Sequence, residues 1–410
     1  MIDVNVVGLG YVGLPTALTL AANGVSVRGV DLNADLVRRL SNGENTIDEK
    51  GFDDLFARAR ANGVCFSTEC AASDIYIIAV PTPFVEETKK VDASYITDAI
   101  DDVLDVCGDG CVIVIESTIS PGTIRNQLLP FIEANPKSAG KDVKVAHAPE
   151  RILPGNMVYE LAHNSRVIGA DDEDTGKLLA DLYASFCEGE IVVTDVATAE
   201  MSKVVENTYR DVNIAFANEL LKICDKGGMD ARSVIRIANM HPRVNILNPG
   251  PGVGGHCIPV DPWFLVGDFP DETGLIAAAR RENDSMPAYV EKRIREIMDT
   301  EGVSDIGRVG LYGLAYKENI DDVRESPTIS LINRFESGGG VPASYDPHVR
   351  SIVASGQTLD GDEFFANAEL VVIMVRHDAL TSDVSKLNGK IVLDARGNFY
   401  ADTVLRRYEL

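Results

Sequence analysis

Few features of this 410-residue chain would commit it to metal, membrane or nucleic acid. Its seven cysteines are scattered, and Cys65/Cys70 and Cys107/Cys111 lack the C-x-x-C spacing and nearby histidines of a zinc site. They read as reduced core or edge residues of a cytosolic protein. No apolar run approaches the roughly 20 residues that span a bilayer. The opening run MIDVNVVG leaves no room for a signal peptide, so the expectation is a soluble, cytoplasmic protein. Positive charge is scarce as well: 38 Lys+Arg stand against 63 Asp+Glu, a net charge of -25. A surface of that sign repels a phosphate backbone and excludes nonspecific nucleic-acid binding. It also fits a solvated surface suited to high salt, as in an acidic proteome. An anionic ligand must then be met where the few cations gather. No tyrosine has a lysine four residues later, which removes the Tyr-x-x-x-Lys of short-chain epimerases.

What is present begins with length enough for two or three domains, and with ordinary globular proportions of 45% hydrophobic and 25% charged residues. Ile2–Val7 reads as a strand that runs into Gly8-Leu9-Gly10-Tyr11-Val12-Gly13. Pro15–Ala22 reads as a helix, and Val25–Val30 as a second strand ending at Asp31. A G-x-G-x-x-G between strand and helix, with an acid closing the next strand, is the context of a dinucleotide site. The glycines permit a tight turn and let a pyrophosphate approach the helix N-terminus. Asp31 would accept from the adenosine ribose and repel a 2′-phosphate, favouring NAD over NADP.

Strands are expected at Asp74–Val80, Cys111–Glu116 and Val143–His147. In doubly wound sheets ligands lie beyond the C-terminal strand ends. The loops Pro81-Thr82-Pro83 and Ser117–Thr123, which contains Thr118, should therefore line the cofactor cleft. The same edge receives Ala148-Pro149-Glu150-Arg151, where Glu150 is either a solvated loop carboxylate or a site residue.

Thr198–Cys224 is helical in pattern for many turns. Lys203 and Asn207, four apart, project from one face of it. Such a spine suits an interdomain helix and a dimer interface. Beyond it come the polar loop His241-Pro242-Arg243-Val244-Asn245 and then Pro249–Leu265, PGPGVGGHCIPVDPWFL. A glycine-rich lead-in containing Gly254 brings backbone close to a ligand, and its amides can lower a thiol pKa or bind an anion. Cys257, with Asp261 four residues on, is either a covalent nucleophile with an acid–base partner or a small buried hydrophobe in a Pro/Gly turn. A second helical segment is expected over Gly274–Asp299.

The C-terminal part repeats the α/β grammar strand for strand. Val309–Gly313 precedes a helix near Thr328–Glu336, closed by Gly338-Gly339-Gly340, and further strands end at Tyr345-Asp346-Pro347, Leu370–Val375 and Ile391–Asp394. Its first loop lacks the fingerprint and carries Tyr316, Lys317 and Arg324 instead. Such a loop suits a second anion, for example a nucleotide diphosphate, or merely surface salt bridges. The expected fold class is α/β, with two Rossmann-like doubly wound domains joined by a long central helix and a helical dimerisation domain. The divisions are 1–195 for NAD, 196–300 for the centre with the cysteine loop, and 301–410 for the second nucleotide.

GLGYVGLP, STISPGT, the Lys203/Asn207 helix, GPGVGGHCIPVD and AYKENIDDVRESP, in this order over nearly the whole chain, resemble the nucleotide-sugar dehydrogenase family of UDP-glucose and GDP-mannose dehydrogenases. APERILPG, HPRVN and GHCIPVDPWFL are most similar to the UDP-N-acetyl-D-mannosamine branch. Val260, where the UDP-glucose branch carries lysine, and Arg151, where it carries phenylalanine, count against glucose. The resemblance implies oxidation of a UDP-sugar C6 alcohol to the carboxylate with two NAD. Cys257 would carry the thiohemiacetal and thioester, with Lys203 or Asp261 assisting proton removal. Lys203 and Asn207 would steady the oxyanion, and Glu150 and Thr118 would handle the hydrolytic water. For substrate it implies Lys317 and Arg324 at the diphosphate or sugar end, with Arg151, Arg210, Tyr316, Gly254 and His256 also around the sugar nucleotide. His241, Arg243 and Asn245 belong to a loop that reaches across a dimer. The implied pathway is polysaccharide biosynthesis. UDP-glucose and UDP-N-acetylglucosamine are the alternative substrates, and a non-catalytic NAD/nucleotide-sugar sensor is the alternative of a different class.

Overall fold

In a computed structural model the N-terminal strands are β1 (Asp3–Val7), β2 (Ser26–Val30), β3 (Cys65–Ser67), β4 (Ile75–Ile78), β5 (Val112–Ile115), β6 (Lys144–His147), β7 (Arg166–Gly169) and β8 (Ile191–Thr194). The structure describes residues 3–47, 49–152, 155–397 and 404–410. Strands β3, β7 and β8 are additions to the sequence reading. Among the described residues the order is β3-β2-β1-β4-β5-β6-β7-β8, parallel except where β6 meets β7. Ile75, Ile77, Val112 and Val114 pack into the core on one face, while Tyr76, Ile78, Ile113 and Ile115 pack into the core on the other. That two-sided burial explains why these strands read as continuous apolar runs.

The C-terminal sheet holds β9 (Val309–Tyr312), β10 (Ala343–Tyr345), β11 (Leu370–Ile373), β12 (Ile391–Asp394) and β13 (Arg406–Glu409), all parallel, in the order β10-β9-β11-β12-β13. Five strands of the first sheet, β2-β1-β4-β5-β6, have this same order. The strand-for-strand echo therefore holds for five strands and stops there, because β3, β7 and β8 have no counterparts in the second sheet among the described residues.

Val196–Gly227 is one helix of 32 residues, about 48 Å long at 1.5 Å per residue. The second helical segment is not continuous, which corrects the sequence reading. It breaks into Gly274–Asp284 and Met286–Glu301 at Ser285, because Pro287 lacks the N–H that a helix interior needs and is tolerated only in a first turn. By contacts the chain divides into two compact units, Met1–Glu206 with Trp263–Phe269, and Asn207–Pro262 with Pro270–Leu410.

Candidate active site

In the first unit the fingerprint lies between β1 and the helix Gly13–Ala22. Gly13 has no room for a side chain, since a Cβ there would collide with the Gly8 carbonyl. A Cβ on Gly10 would meet nothing within 4 Å, so that edge is open. Tyr11 is exposed and Val12, the helix cap position, offers no side-chain hydrogen bond to the first turn. The first turn is nonetheless not a row of open amides, since Leu14 donates to the Gly10 carbonyl at 3.2 Å and Pro15 has no N–H; a pyrophosphate would meet the glycine turn itself. Asp31 accepts from the Leu9 and Asn33 amides, both at 2.8 Å, and stays half-buried. An ionised carboxylate has about four lone-pair sites, so capacity for a ribose remains. These residues fit an NAD site.

The two loops beyond β4 and β5 are tied together: the Thr82 hydroxyl donates to the Thr118 carbonyl at 2.8 Å. Pro81 is exposed beside it. The Ser117–Thr123 loop is further pinned by Glu200 on the long helix, whose carboxylate accepts from the Gly122 and Ile124 amides at 2.5 and 2.9 Å. Burial raises the Glu200 pKa, and the two amides oppose that rise.

Glu150 is buried rather than a solvated loop residue. Its carboxylate accepts from the Arg151 and Ile152 amides at 2.6 and 3.2 Å and pairs with Arg166. The Arg151 side chain turns to Glu206, 2.6 Å away on the long helix. Lys203 is buried in this unit. It lies near enough to His147 for its charge to act there: burial first, then the Lys203 cation, pushes that imidazole down to about 4.

In the second unit Cys257 is exposed. Its carbonyl accepts from the Val260 and Asp261 amides at 3.1 and 2.8 Å, which starts the helix Asp261–Asp268. Asp261 is buried and accepts from the Asn207 side-chain amide at 2.6 Å. The glycine lead-in lies against the first loop of the C-terminal sheet. A Cβ on Gly254 would come within 2.7 Å of both the Glu325 carbonyl and the Tyr316 side chain, and the Gly255 amide donates to the Arg324 carbonyl at 3.0 Å. Gly254, His256, Cys257, Tyr316 and Arg324 are therefore brought together. Arg324 is held by Asp322, whose hydrogen bond raises the guanidinium pKa; burial opposes this, and Asp322, Tyr316 and Cys257 add to the rise. Partial burial and then Arg324 lower the His256 pKa. Lys317 is exposed on the same loop. Arg210, His241, Arg243 and Asn245 are exposed on the long helix and the loop that follows Ala231–Ala238, outside this cluster.

Sequence reasoning missed the residues that shape the lead-in. Asn213 donates to the Asn245 carbonyl and accepts from the Leu247 amide, and Asn218 accepts from the Gly250 amide. Asparagine is a poor helix former, so its recurrence at 207, 213 and 218 inside one helix was the available signal. Also missed was a cavity of about 180 Å³ lined by Asn248, Pro249, Glu318, Arg376, Arg396 and Gly397. Arg376 and Arg396 follow the ends of β11 and β12, where a doubly wound sheet binds ligands. Among the described residues no group of three or more His, Cys, Asp or Glu could hold a metal ion, and no helix is long and apolar enough to cross a membrane.

Three family models match in sequence along the chain. They are the UDP-glucose/GDP-mannose dehydrogenase family NAD binding domain at residues 2–187, its central domain at 197–285 and its UDP binding domain at 310–401. A UDP-N-acetyl-D-mannosamine dehydrogenase of Methanococcus maripaludis is 41% identical, covering 95% of this chain and 92% of its own length. An NDP-N-acetyl-D-galactosaminuronic acid dehydrogenase of Ralstonia nicotianae is 40% identical over 98% of this chain and 97% of its own. The solved structure of a UDP-D-ManNAc dehydrogenase from Pyrococcus horikoshii superposes with a TM-score of 0.90 at 34% identity, covering 100% of this chain and 99% of that one.

Proposed function

The chain belongs to the UDP-glucose/GDP-mannose dehydrogenase family and is an NAD-dependent nucleotide-sugar dehydrogenase, and on that premise we propose that it oxidises UDP-N-acetyl-D-mannosamine to UDP-N-acetyl-D-mannosaminuronate. One observation carries the chemistry: an exposed Cys257 stands at the end of a glycine lead-in, one helical turn before an Asp261 anchored by Asn207. The Gly8–Gly13 turn and Asp31 would hold NAD, which would supply the hydride acceptor for both oxidations. Lys203, or Asp261 through a water, takes the C6 hydroxyl proton as the alcohol becomes an aldehyde. The Cys257 sulfur adds to the aldehyde carbon, giving a thiohemiacetal, which loses a second hydride and a proton to become a thioester. Lys203 and Asn207 donate to the oxyanion, a contribution of a few kcal/mol in a water-poor site. Water then splits the C–S bond, releasing the carboxylate and the thiol, with Glu150 and Thr118 holding that water.

Lys317, Arg324 and the cations of the Arg376/Arg396 cavity are assigned to the diphosphate end, which reconciles an acidic chain with an anionic substrate. Tyr316 and His256 flank the sugar nucleotide beside them. The long helix exposes Tyr209, Phe216 and Ile223 at seven-residue spacing, and this apolar stripe supports a homodimer through it. The loop carrying His241, Arg243 and Asn245 would then serve the partner copy, with Arg210 and Arg151 near the sugar. The domain reading stays threefold: NAD, central and nucleotide-sugar parts.

Two NADH per UDP-sugar are expected, and Cys257→Ser should abolish acid formation while retaining NAD binding. One NADH per sugar, or an unimpaired Cys257→Ser variant, overturns the covalent route. The Ralstonia relative's 40% identity supports a second reading, an N-acetylgalactosamine-configured substrate. Comparing turnover of the UDP-N-acetyl-mannosamine, -galactosamine and -glucosamine sugars with UDP-glucose decides between them.

A further inference from the structure

The first unit buries a cation that the reaction described above does not use. Arg166, the first residue of β7, is almost wholly buried, with its guanidinium 4.7 Å from the Tyr183 ring and 5.0 Å from the Phe186 ring. On one side it pairs with Glu150; on the other it lies 3.6 Å from Glu116, the residue after β5. Glu116 also accepts from the Thr16 hydroxyl at 3.0 Å and from Tyr183 at 3.3 Å. Burial, with Glu150 adding to it, pushes the Glu116 carboxyl up to about 8, so near neutral pH it largely keeps its proton. Arg166 is then left as the counter-charge of Glu150. Burial alone would lower the Arg166 pKa, and the two carboxylates more than reverse this.

The Glu150 carboxylate receives the Arg151 amide, the Ile152 amide and the Arg166 guanidinium. Among the described residues three of a carboxylate's roughly four lone-pair sites are taken, leaving one. A carboxylate so engaged is held in one orientation, with acceptor capacity left for one water. We propose that Arg166 is a positioning residue for deacylation, fixing Glu150 so that its last acceptor site orients the water that hydrolyses the Cys257 thioester. The water oxygen bonds to the acyl carbon, the C–S bond breaks with its electron pair on sulfur, and water's proton leaves to solvent; nothing is oxidised or reduced. This inference rests on the assignment of Glu150 to the hydrolytic water.

The test follows the covalent adduct. Wild type, Glu150→Gln, Arg166→Gln and Arg166→Lys are mixed with UDP-N-acetylmannosamine and NAD, then read by intact-protein mass and by NADH per active site. Glu150→Gln and Arg166→Gln should each release two NADH per site in a burst, stall with an acyl adduct on Cys257, and lose kcat on the order of 100-fold with KM for the sugar little changed. Arg166→Lys should accumulate less adduct than Arg166→Gln and more than wild type. If Glu150→Gln shows the adduct while a folded, NAD-binding Arg166→Gln deacylates like wild type, the positioning role is overturned. If Glu150→Gln shows no adduct, the assignment of Glu150 itself falls. Should Arg166→Gln fail to fold, Arg166→Lys decides. A single ammonium cannot reproduce the fork, so adduct above the wild-type level supports the role and wild-type deacylation overturns it.

Discussion

The two doubly wound sheets begin alike and then part. After the first strand of each comes a glycine with positive φ, Gly8 at 92° and Gly313 at 95°, pressed against the chain that leaves the neighbouring strand. The next amide, of Leu9 or Leu314, donates to an aspartate just beyond the second strand, Asp31 or Asp346. From there the N-terminal chain enters its helix at Gly13, with no side chain capping it. The C-terminal chain delays its helix to Pro327 and caps it with Ser326, whose hydroxyl accepts from the Thr328 and Ile329 amides at 3.2 and 3.5 Å. Asp346 is buried and filled: it accepts from four backbone amides and from His377. One half keeps its anion-binding groups open to a ligand; the other consumes them internally and carries its cations on the longer loop. A shared framework therefore does not imply a shared ligand, because function lies in which polar groups are left unsatisfied.

The comparison breaks most sharply at Gly13. Gly13→Ala forces a Cβ onto the Gly8 carbonyl, and NAD affinity by calorimetry should fall by on the order of 100-fold, about 2.7 kcal/mol. Affinity for a UDP ligand should be unaffected; an equal loss of both would mean a general folding defect.

The next effect distinguishes the two aspartates. Burial alone would raise the Asp346 pKa, but the His377 hydrogen bond and charge and the Ala315 and His348 amides hold it down at about 2. A depressed carboxyl stabilises the fold above its unfolded pKa near 3.9, and that contribution is lost as pH falls through about 2. Asp346→Asn should cost roughly 2 kcal/mol at pH 7 in urea unfolding, and the gap to wild type should close on acidification from pH 4 toward 2. Asp31→Asn should instead leave stability nearly unchanged and reduce discrimination against NADP.

The smallest effect concerns the caps. Ser326→Ala should destabilise by about 1 kcal/mol, as loss of an N-cap does. The N-terminal helix admits no counterpart, because its third residue, Pro15, has no N–H and Leu14 already donates to the Gly10 carbonyl.

Much of this was legible because it is local. The apolar runs of β4, β5 and β11, the fingerprint between strand and helix, and the length of the Val196–Gly227 helix depend on neighbours a few residues apart, where spacing alone sets direction. Lys203 and Asn207 could be seen to share a face for the same reason. The break at Ser285 was visible in principle, since Pro287 stands in the sequence, but the charged periodicity on both sides masks it.

The chain alone determined the order of elements, the dinucleotide turn and the exceptional Gly/Pro setting of Cys257, since each is written in contiguous residues. Only tertiary structure decided what holds them: Asn207 meets Asp261 across 54 residues, and Gly254 lies under the backbone of Glu325. Glu150 owes its orientation to an arginine that begins another strand. Those partners are chosen by burial. A polar group sealed from water takes whichever complement the fold brings within 3 Å, and sequence distance does not enter that choice.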